Sequence, residues 1–469
     1  MSVECYRLAI KLTRTLGPVW TMAFVAIASV TLFVAQTREV QAQSSGTFWD
    51  SLNIFGNQGF NKKPTHQSGP QARRKSNRSK RKPPDDLRPN SIPWRSDEMV
   101  MATEAAVERY RKIAANGGWR KIPAKRMMRL GDYDQRVDLL RRRLRATGDM
   151  RSRPQPYEDS TFDEYVEAGV KRFQRRHGLR VTGRVQRGTF AALNVSAEER
   201  LAQLRLNLRR LTELTNQRIE DRYILVNVPA YQLEAVERFD VEQRHRVIAG
   251  RPSRETPTLR ATITGVNFFP YWHVPISIAR KDLVPRLQKE PDYLSKEKIR
   301  VVDGYQGPEI DPREVDWNQV DLTKIKFRQD PGPKNALGLV RIDMSNEHNV
   351  YMHDTPMQQL FNSSLRAYSA GCVRVQGVYD LVAWINRYEQ GWEQPGRVQE
   401  VLESGAPLDL KLTRPVPVYF SYITAWGEPG SAVQFRADIY NQDGATAFAA
   451  SAQDDDEKIA PESAAALTP

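Results

Sequence analysis

The stretch YMHDTPMQQLFNSSLRAYSAGCVRV, residues 351–375, holds the densest chemistry in the chain. It opens on an apolar run that reads as a strand ending at His353. Cys372 follows 19 positions later, between Gly371 and the pair Val373-Arg374. A thiol becomes a useful nucleophile near neutral pH when an imidazole lies within hydrogen-bonding reach and favours the thiolate. The small approach Ser369-Ala370-Gly371 allows a tight turn whose backbone N–H groups can face a developing oxyanion. A lone cysteine near a histidine also arises by chance, so the reading rests on the whole phrase and on its surroundings.

On either side of this phrase the pattern is β-rich. RYILVNVPAYQLEAVE (222–237) and ATITGVNFFPYWHVP (261–275) are apolar runs broken by proline, and ALGLVRIDM (336–344) and NVYMHDT (349–355) continue them. Residues 281–335 interrupt the strands with a charged stretch containing LVPRLQKEPDYLSKEKIRVVDG, expected to be a mainly helical inserted lid. A helix is expected at 376–390, followed by short strands near PVPVYFSYITAW (415–426) and VQFRADIY (433–440).

The preceding residues have a helical period. A helix from Asp97 ends at Gly117-Gly118 and belongs to a helical scaffold, 96–129. A compact unit at 130–195 places Val137, Leu140 and Leu144 on one helix, Tyr165, Val170 and Phe173 on a second, and a third ending near Leu193. A basic connecting helix fills 196–220, and the β-rich body is expected to run over 221–440.

Charge is concentrated at the ends. The chain has 469 residues with 70 Lys+Arg and 56 Asp+Glu, a net +14, and residues 71–84 alone carry seven Lys/Arg and no acid. Residues 43–95 read as a disordered basic linker and 441–469 as a disordered acidic tail. The high net charge is therefore mostly a linker property, and no nucleic-acid partner is expected. Residues 16–35 lack charge, follow Arg7, Lys11 and Arg14, and precede Val40-Gln41-Ala42, so 1–42 reads as a signal peptide or a retained membrane anchor. Either form places the body outside the cytoplasm. Of the two cysteines, Cys5 falls in that segment, which leaves Cys372 as a single thiol and excludes a disulfide scaffold.

Two resemblances follow from these residues. Val170, Phe173, Gln174, Gly178, Leu179, Gly183, Thr189, Ala192 and Leu193 resemble the phrase of the three-helix peptidoglycan-binding domain. His353, 15 intervening residues, then Ser369-Ala370-Gly371-Cys372-Val373-Arg374 resemble the L,D-transpeptidase catalytic domain of YkuD type. FFPYWHVP (268–275), Tyr422-x-x-Ala425-Trp426 and Asp438-Ile439-Tyr440 look like its YcbB-like Gram-negative subgroup. The fold class expected is α+β multidomain: a small three-helix peptidoglycan-binding-like domain plus a mostly β catalytic domain with a helical insertion.

The resemblance implies Cys372 as nucleophile, His353 as general base and then acid, and the Asp354 backbone carbonyl as the group orienting His353. A Cys-His-Asp arrangement using the Asp354 carboxylate stays open. Ser369 and Gly371 would shape the oxyanion turn, and Arg374, Tyr351 and Trp272 would line the donor pocket. Ala370 stands where relatives carry Ser or His. The implied reaction forms 3→3 peptidoglycan cross-links in the periplasm through a Cys372 thioester, with stem peptides as donor and amine acceptor. The alternatives are attachment of proteins to the wall, hydrolysis, or a non-catalytic wall-binding scaffold. His273 is expected near the site, and His66, His177, His245 and His348 as surface or structural residues. No metal site or cofactor is expected, since Asp343 and Asp354 stand isolated and no H-E-x-x-H, P-loop or dinucleotide motif occurs.

Overall fold

The computed structural model describes residues 92–150, 160–217, 220–305, 307–430 and 433–444. The expected signal or anchor, nearly all of the linker and most of the acidic tail lie outside them. Among the described residues no helix is long and apolar enough to cross a membrane.

The helical half begins with α1 (Asp97–Ala115), whose Ser96 hydroxyl accepts the Met99 N–H and whose first turn holds Asp97 and Glu98. Met99, Thr103, Ala106 and Tyr110 form its buried stripe. The small module that follows comprises α2 (Arg136–Ala146), α3 (Glu164–Arg176) and α4 (Arg187–Asn194). Val137, Leu140, Leu144, Val166, Val170, Phe173, Val185 and Leu193 close its core. Each large apolar side chain buried there contributes roughly 1.5–3 kcal/mol. Tyr165, expected on the apolar face, is exposed, and Val166 takes the inward position. A capping box between Ser196 and Glu199 starts α5 (Ala197–Thr215).

The β-rich half is one sheet of β1 (Arg222–Asn227), β2 (Gln232–Glu237), β3 (Asp240–Gly250), β4 (Leu259–Phe268), β9 (Val340–Ser345), β10 (Met352–His353), β11 (Ala367–Ser369), β12 (Val373–Val375) and β13 (Leu408–Ser421). Its order is β11-β3-β12-β10-β9-β4-β13-β1-β2, and β3 also pairs with β2. The sheet thereby closes on itself, with helices α6 (Val378–Asn386) and α7 (Arg397–Ser404) packed against its core through Leu381, Ile385, Val398 and Val401. The strand pairing β14 (Ala425–Trp426) with β15 (Gln434–Phe435) follows β13. α+β multidomain is therefore the observed class, with helices first and a mostly β domain after.

Three expectations need correction. The insertion is not mainly helical: after short helical turns at Ile276–Leu287 and Tyr293–Lys296 it forms an antiparallel sheet, β5 (Trp272–His273)-β8 (Ile325–Gln329)-β6 (Ile299–Asp303)-β7 (Glu309–Ile310). Its own core joins Trp272, Leu283, Leu287, Leu294, Val301 and Phe327. High charge hid this, because the strands interleave buried residues such as Val301, Val302 and Phe327 with exposed charges such as Arg300 and Asp303.

The linker ends before residue 95. Trp94 is buried edge-on against Trp426, with ring centroids 5.8 Å apart, and its backbone N–H donates to the Glu234 carboxylate at 2.9 Å. Arg95 donates to the Leu214 carbonyl at 2.9 Å and to Glu220 at 2.7 Å, lying 4.4 Å over Tyr419. The tail likewise starts late, since Asp443 is paired with Arg210 of α5 at 2.6 Å. Polar composition suggested solvated ends, but a buried partner across the fold decided otherwise.

Candidate active site

β10 runs parallel to β12 with Met352 opposite Val373 and His353 opposite Arg374. One step back, Tyr351 stands beside Cys372, and its carbonyl accepts the Val373 N–H at 3.0 Å. Alternation along the strands puts Tyr351, His353, Cys372 and Arg374 on one face and sends Met352 and Val373 into the barrel core. Antiparallel pairing on the other side places Arg341 of β9 opposite His353. The turn before Cys372 is closed by Ser369, whose hydroxyl donates to the Cys372 carbonyl at 2.5 Å and accepts the Gly371 N–H at 3.2 Å. Gly371 has φ +124°, where a side chain would be strained.

His353 is fully buried, and its Nδ1 donates to the Asp354 carbonyl at 2.5 Å. That leaves Nε2 as the basic nitrogen, buried and without a protein hydrogen-bond partner among the described residues. The Asp354 carboxylate is engaged elsewhere. It accepts the Leu339 N–H at 3.0 Å, the Tyr379 hydroxyl at 2.9 Å and the Gln358 amide at 3.2 Å. Its contacts clamp the segment that presents the carbonyl, so the open Cys-His-Asp arrangement has no carboxylate on the imidazole.

Gly338 makes that clamp possible. It has φ +63°, and a Cβ there would lie 2.3 Å from Asp354 Oδ2. Gly338→Ala is expected to cost about 2 kcal/mol or more of stability, read by thermal denaturation, and to slow any acylation of Cys372. Acylation at an unaltered rate would show that the placement of the Asp354 carbonyl is unimportant.

Burial dominates the electrostatics. It pushes the Cys372 thiol up to about 11, against the opposing pull of hydrogen bonds from the Tyr351 N–H and hydroxyl and the charges of Arg374 and Arg341. Burial, then the Arg374 charge, lowers His353 to about 3, although the Asp354 and Leu337 carbonyls favour its protonated form. Burial therefore favours the neutral thiol and the neutral imidazole, which suits His353 as a general base. Burial also raises the Tyr351 hydroxyl well above its ordinary value and lowers Arg374 to about 10.

Trp272 is buried in the core of the insertion, and Tyr351 and Ala370 pack against that same core, so the site lies on the seam between barrel and insertion. Ala370 thus makes apolar contact with the insertion. Arg374 reaches the Thr355 hydroxyl at 3.5 Å. His273 is exposed and edge-on to Tyr305 at 5.5 Å, and it stays close enough to Arg341 that, after burial and Arg328, this charge also lowers its pKa. His177 and His245 are buried structural residues, His348 is exposed, and His66 lies outside the described residues. Among the described residues no group of three His, Cys, Asp or Glu side chains could hold a metal.

Sequence reasoning missed Arg341, 5.7 Å from the Tyr351 ring centroid and bonded to Asn267 at 3.0 Å. The alternation Val340-Arg341-Ile342-Asp343 marked it as facing away from the core. Tyr379 and Thr256 were also missed, because their partners Asp354 and Gly371 are remote in sequence, and so was Gln358, whose bond to Asp354 four residues back has no sequence signature.

Residues 221–416 match the family model YkuD, described as the L,D-transpeptidase catalytic domain. Residues 133–193 match the model "Putative peptidoglycan binding domain". A Haemophilus influenzae protein named "Putative L,D-transpeptidase" is 35% identical over 221 residues, 47% of this chain and 44% of that protein. The chain thus spans less than half the length of this curated relative. A solved L,D-transpeptidase (Yku) from Stackebrandtia nassauensis is similar at 13% identity over 66% of this chain and 97% of its own, with TM-score 0.24. An L,D-transpeptidase from Mycobacterium smegmatis is similar at 12% identity over 43% and 58%, with TM-score 0.19. Likeness at those scores adds no weight. Cys372 and His353 fall inside the catalytic match, and α2, α3 and all of α4 except Asn194 inside the binding match. Residues 221–416 are an L,D-transpeptidase catalytic domain of the YkuD family, preceded in the same chain by a peptidoglycan-binding domain.

Proposed function

We propose that this protein is an exported, cysteine-dependent L,D-transpeptidase that forms 3→3 cross-links in peptidoglycan. The observation that supports it best is the shared face of Cys372 and His353, with Nδ1 tied to a carbonyl and Nε2 left basic. Sγ attacks the carbonyl between residues three and four of a tetrapeptide stem while Nε2 takes the thiol proton. The C–N bond then breaks, His353 returns that proton to the departing D-Ala amine, and a thioester remains. An amine of a second stem attacks the thioester, losing its proton to His353. The C–S bond breaks, and Cys372 regains a proton.

Arg374 is suited to a donor carboxylate, and Tyr351 and Trp272 to the apolar wall of the donor pocket. The insertion would act as the lid that limits water, a reading supported by the contact of its core with Tyr351 and Ala370. Residues 1–42 would deliver the enzyme to the periplasm, cleaved or as an inner-membrane anchor.

Intact-mass measurement of the full chain with a carbapenem tests this. One adduct per chain is the expected result. No adduct on folded protein would leave the wall-binding scaffold as the better reading.

Wall attachment falls to the helical module. Arg120, Lys121, Lys125, Arg126 and Arg129 occupy 120–129 without an acid. The antiparallel bridge Met128–Val185 joins this segment to the one before α4, and Arg126, Arg129, Arg184 and Arg187 are all exposed. Peptidoglycan stems carry carboxylates, which such a strip attracts. Arg126→Glu with Arg184→Glu is expected to weaken co-sedimentation with sacculi about ten-fold at low salt and to flatten its salt dependence. Unchanged binding would move attachment to another surface.

A further inference from the structure

Tyr422-Ile423-Thr424-Ala425-Trp426 and Asp438-Ile439-Tyr440 lie past the matched residues 221–416 and take no part in the chemistry above. Their polar groups nevertheless lead to the nucleophile's turn. We propose that Tyr440 and Thr256 are positioning residues that aim the Cys372 N–H at the oxyanion, acting through the Gly371 carbonyl. This rests on the acyl-transfer reading given above.

Thr256 is wholly buried. Its hydroxyl donates to the Gly371 carbonyl at 2.8 Å and accepts the Gly250 N–H at 2.8 Å. Its own N–H donates to the Tyr440 hydroxyl at 3.1 Å, which donates in turn to the Gly250 carbonyl at 2.6 Å. Gly250 ends β3 and stands opposite Ser369. A Cβ at Gly250 would meet the Arg254 carbonyl at 2.2 Å, so the loop can fold back over the strand end only above glycine.

Tyr440 is itself held firmly. Its N–H donates to the Tyr422 hydroxyl at 2.8 Å, which donates to the fully buried Asp438 at 2.6 Å. Asp438 also accepts the Asp443 N–H at 2.7 Å, and Asp443 pairs with Arg210 at 2.6 Å. The turn thus hangs from a polar chain that reaches α5.

The peptide plane carries the consequence. In a trans peptide the C=O and N–H point in opposite directions, so fixing the Gly371 oxygen fixes the Cys372 N–H. Gly371 lacks a side chain to restrict its own rotation, and Thr256 supplies the restraint from outside. A donor held in place before reaction stabilises the tetrahedral oxyanion without reorganising.

The test compares Thr256→Val, Thr256→Ser and Tyr440→Phe with the unaltered full chain. Single-turnover acylation by a carbapenem forms an oxyanion, whereas alkylation by iodoacetamide forms an S–C bond, expels iodide and forms none. Acylation at saturating carbapenem is expected to slow about ten-fold or more in Thr256→Val and Tyr440→Phe, with half-saturation and alkylation within about two-fold. Thr256→Ser, which keeps the hydroxyl, is expected to acylate within about two-fold of the unaltered rate.

Unaltered acylation in both Thr256→Val and Tyr440→Phe would overturn the proposal. So would acylation and alkylation falling together, which would mark a contact that merely supports the fold or the thiol. If Thr256→Val does not fold, Tyr440→Phe and Thr256→Ser carry the comparison. Unaltered protein that forms no adduct would overturn acyl transfer itself, and this proposal with it, before any variant is compared.

Discussion

Cys372→Ala is expected to abolish the carbapenem adduct and to reduce cross-link formation by at least about a thousand-fold. No neighbour can replace the sulfur. Ser369, the nearest hydroxyl along the turn, already donates to the Cys372 carbonyl at 2.5 Å. The substitution removes one sulfur atom from a nearly buried position, so folding should be retained and far-UV circular dichroism should superimpose. An adduct surviving at another residue would remove Cys372 from the mechanism. Wild-type cross-linking by Cys372→Ala in cells lacking the native protein would leave the wall-binding scaffold as the better reading.

His353→Ala is expected to slow acylation by about a hundred- to ten-thousand-fold and to change its pH dependence. In the unaltered protein the imidazole, lowered to about 3, is already deprotonated near neutrality, while the thiol, raised to about 11, still carries its proton. Acylation should therefore be nearly flat from about pH 6 to about pH 9, the base being ready throughout. Without His353 only the thiolate fraction reacts, so the rate should rise about ten-fold per pH unit across the same window. A bell centred near neutrality in the unaltered protein would show a resting thiolate–imidazolium pair and contradict this assignment.

The lower limit of that window has a physical cause. His353, His177 and His245 all have lowered folded values, each chiefly through burial. Their contribution to stability is present above the ordinary imidazole range and is lost as pH falls toward the folded values, because the unfolded chain then binds more protons. Acidic measurements are thus read only alongside a folding signal.

Arg374 and Arg341 do electrostatic work at rest as well as facing the site. Both lower the thiol and both disfavour a charged imidazole. A donor carboxylate bound to Arg374 would offset part of its charge, easing formation of the imidazolium that must appear during attack. The same ion pair would thus help to hold the donor and to ready His353.

Much of this was legible in the chain itself. The helical period of α2 to α4 and the β-rich runs around 351–375 are local patterns, written in apolar spacing, and they suffice for an α+β class with a helical module first. The Ser-Ala-Gly-Cys turn and the His353 strand are equally local, since a turn needs small residues and a strand end needs an apolar run. Tyr165 was misplaced by a single position because an aromatic at a helix edge can lie on solvent while the neighbouring Val166 takes the core.

What the sequence by itself determined was therefore the helical module, the mostly β domain after it and the order of the elements, within which Cys372 and His353 are the proposed pair. Only the tertiary structure decided the rest. It turned the charged insertion into a sheet with its own core, bound Trp94 and Asp443 into the body, and took the Asp354 carboxylate away from the imidazole. It also buried the pair, which raises the thiol, lowers the imidazole and so favours the neutral form of each. The physical reason is common to all of these. Local spacing records which face of an element is apolar, whereas hydrogen-bond partners and desolvation come from residues far away in the chain, such as Tyr440 beside Gly250.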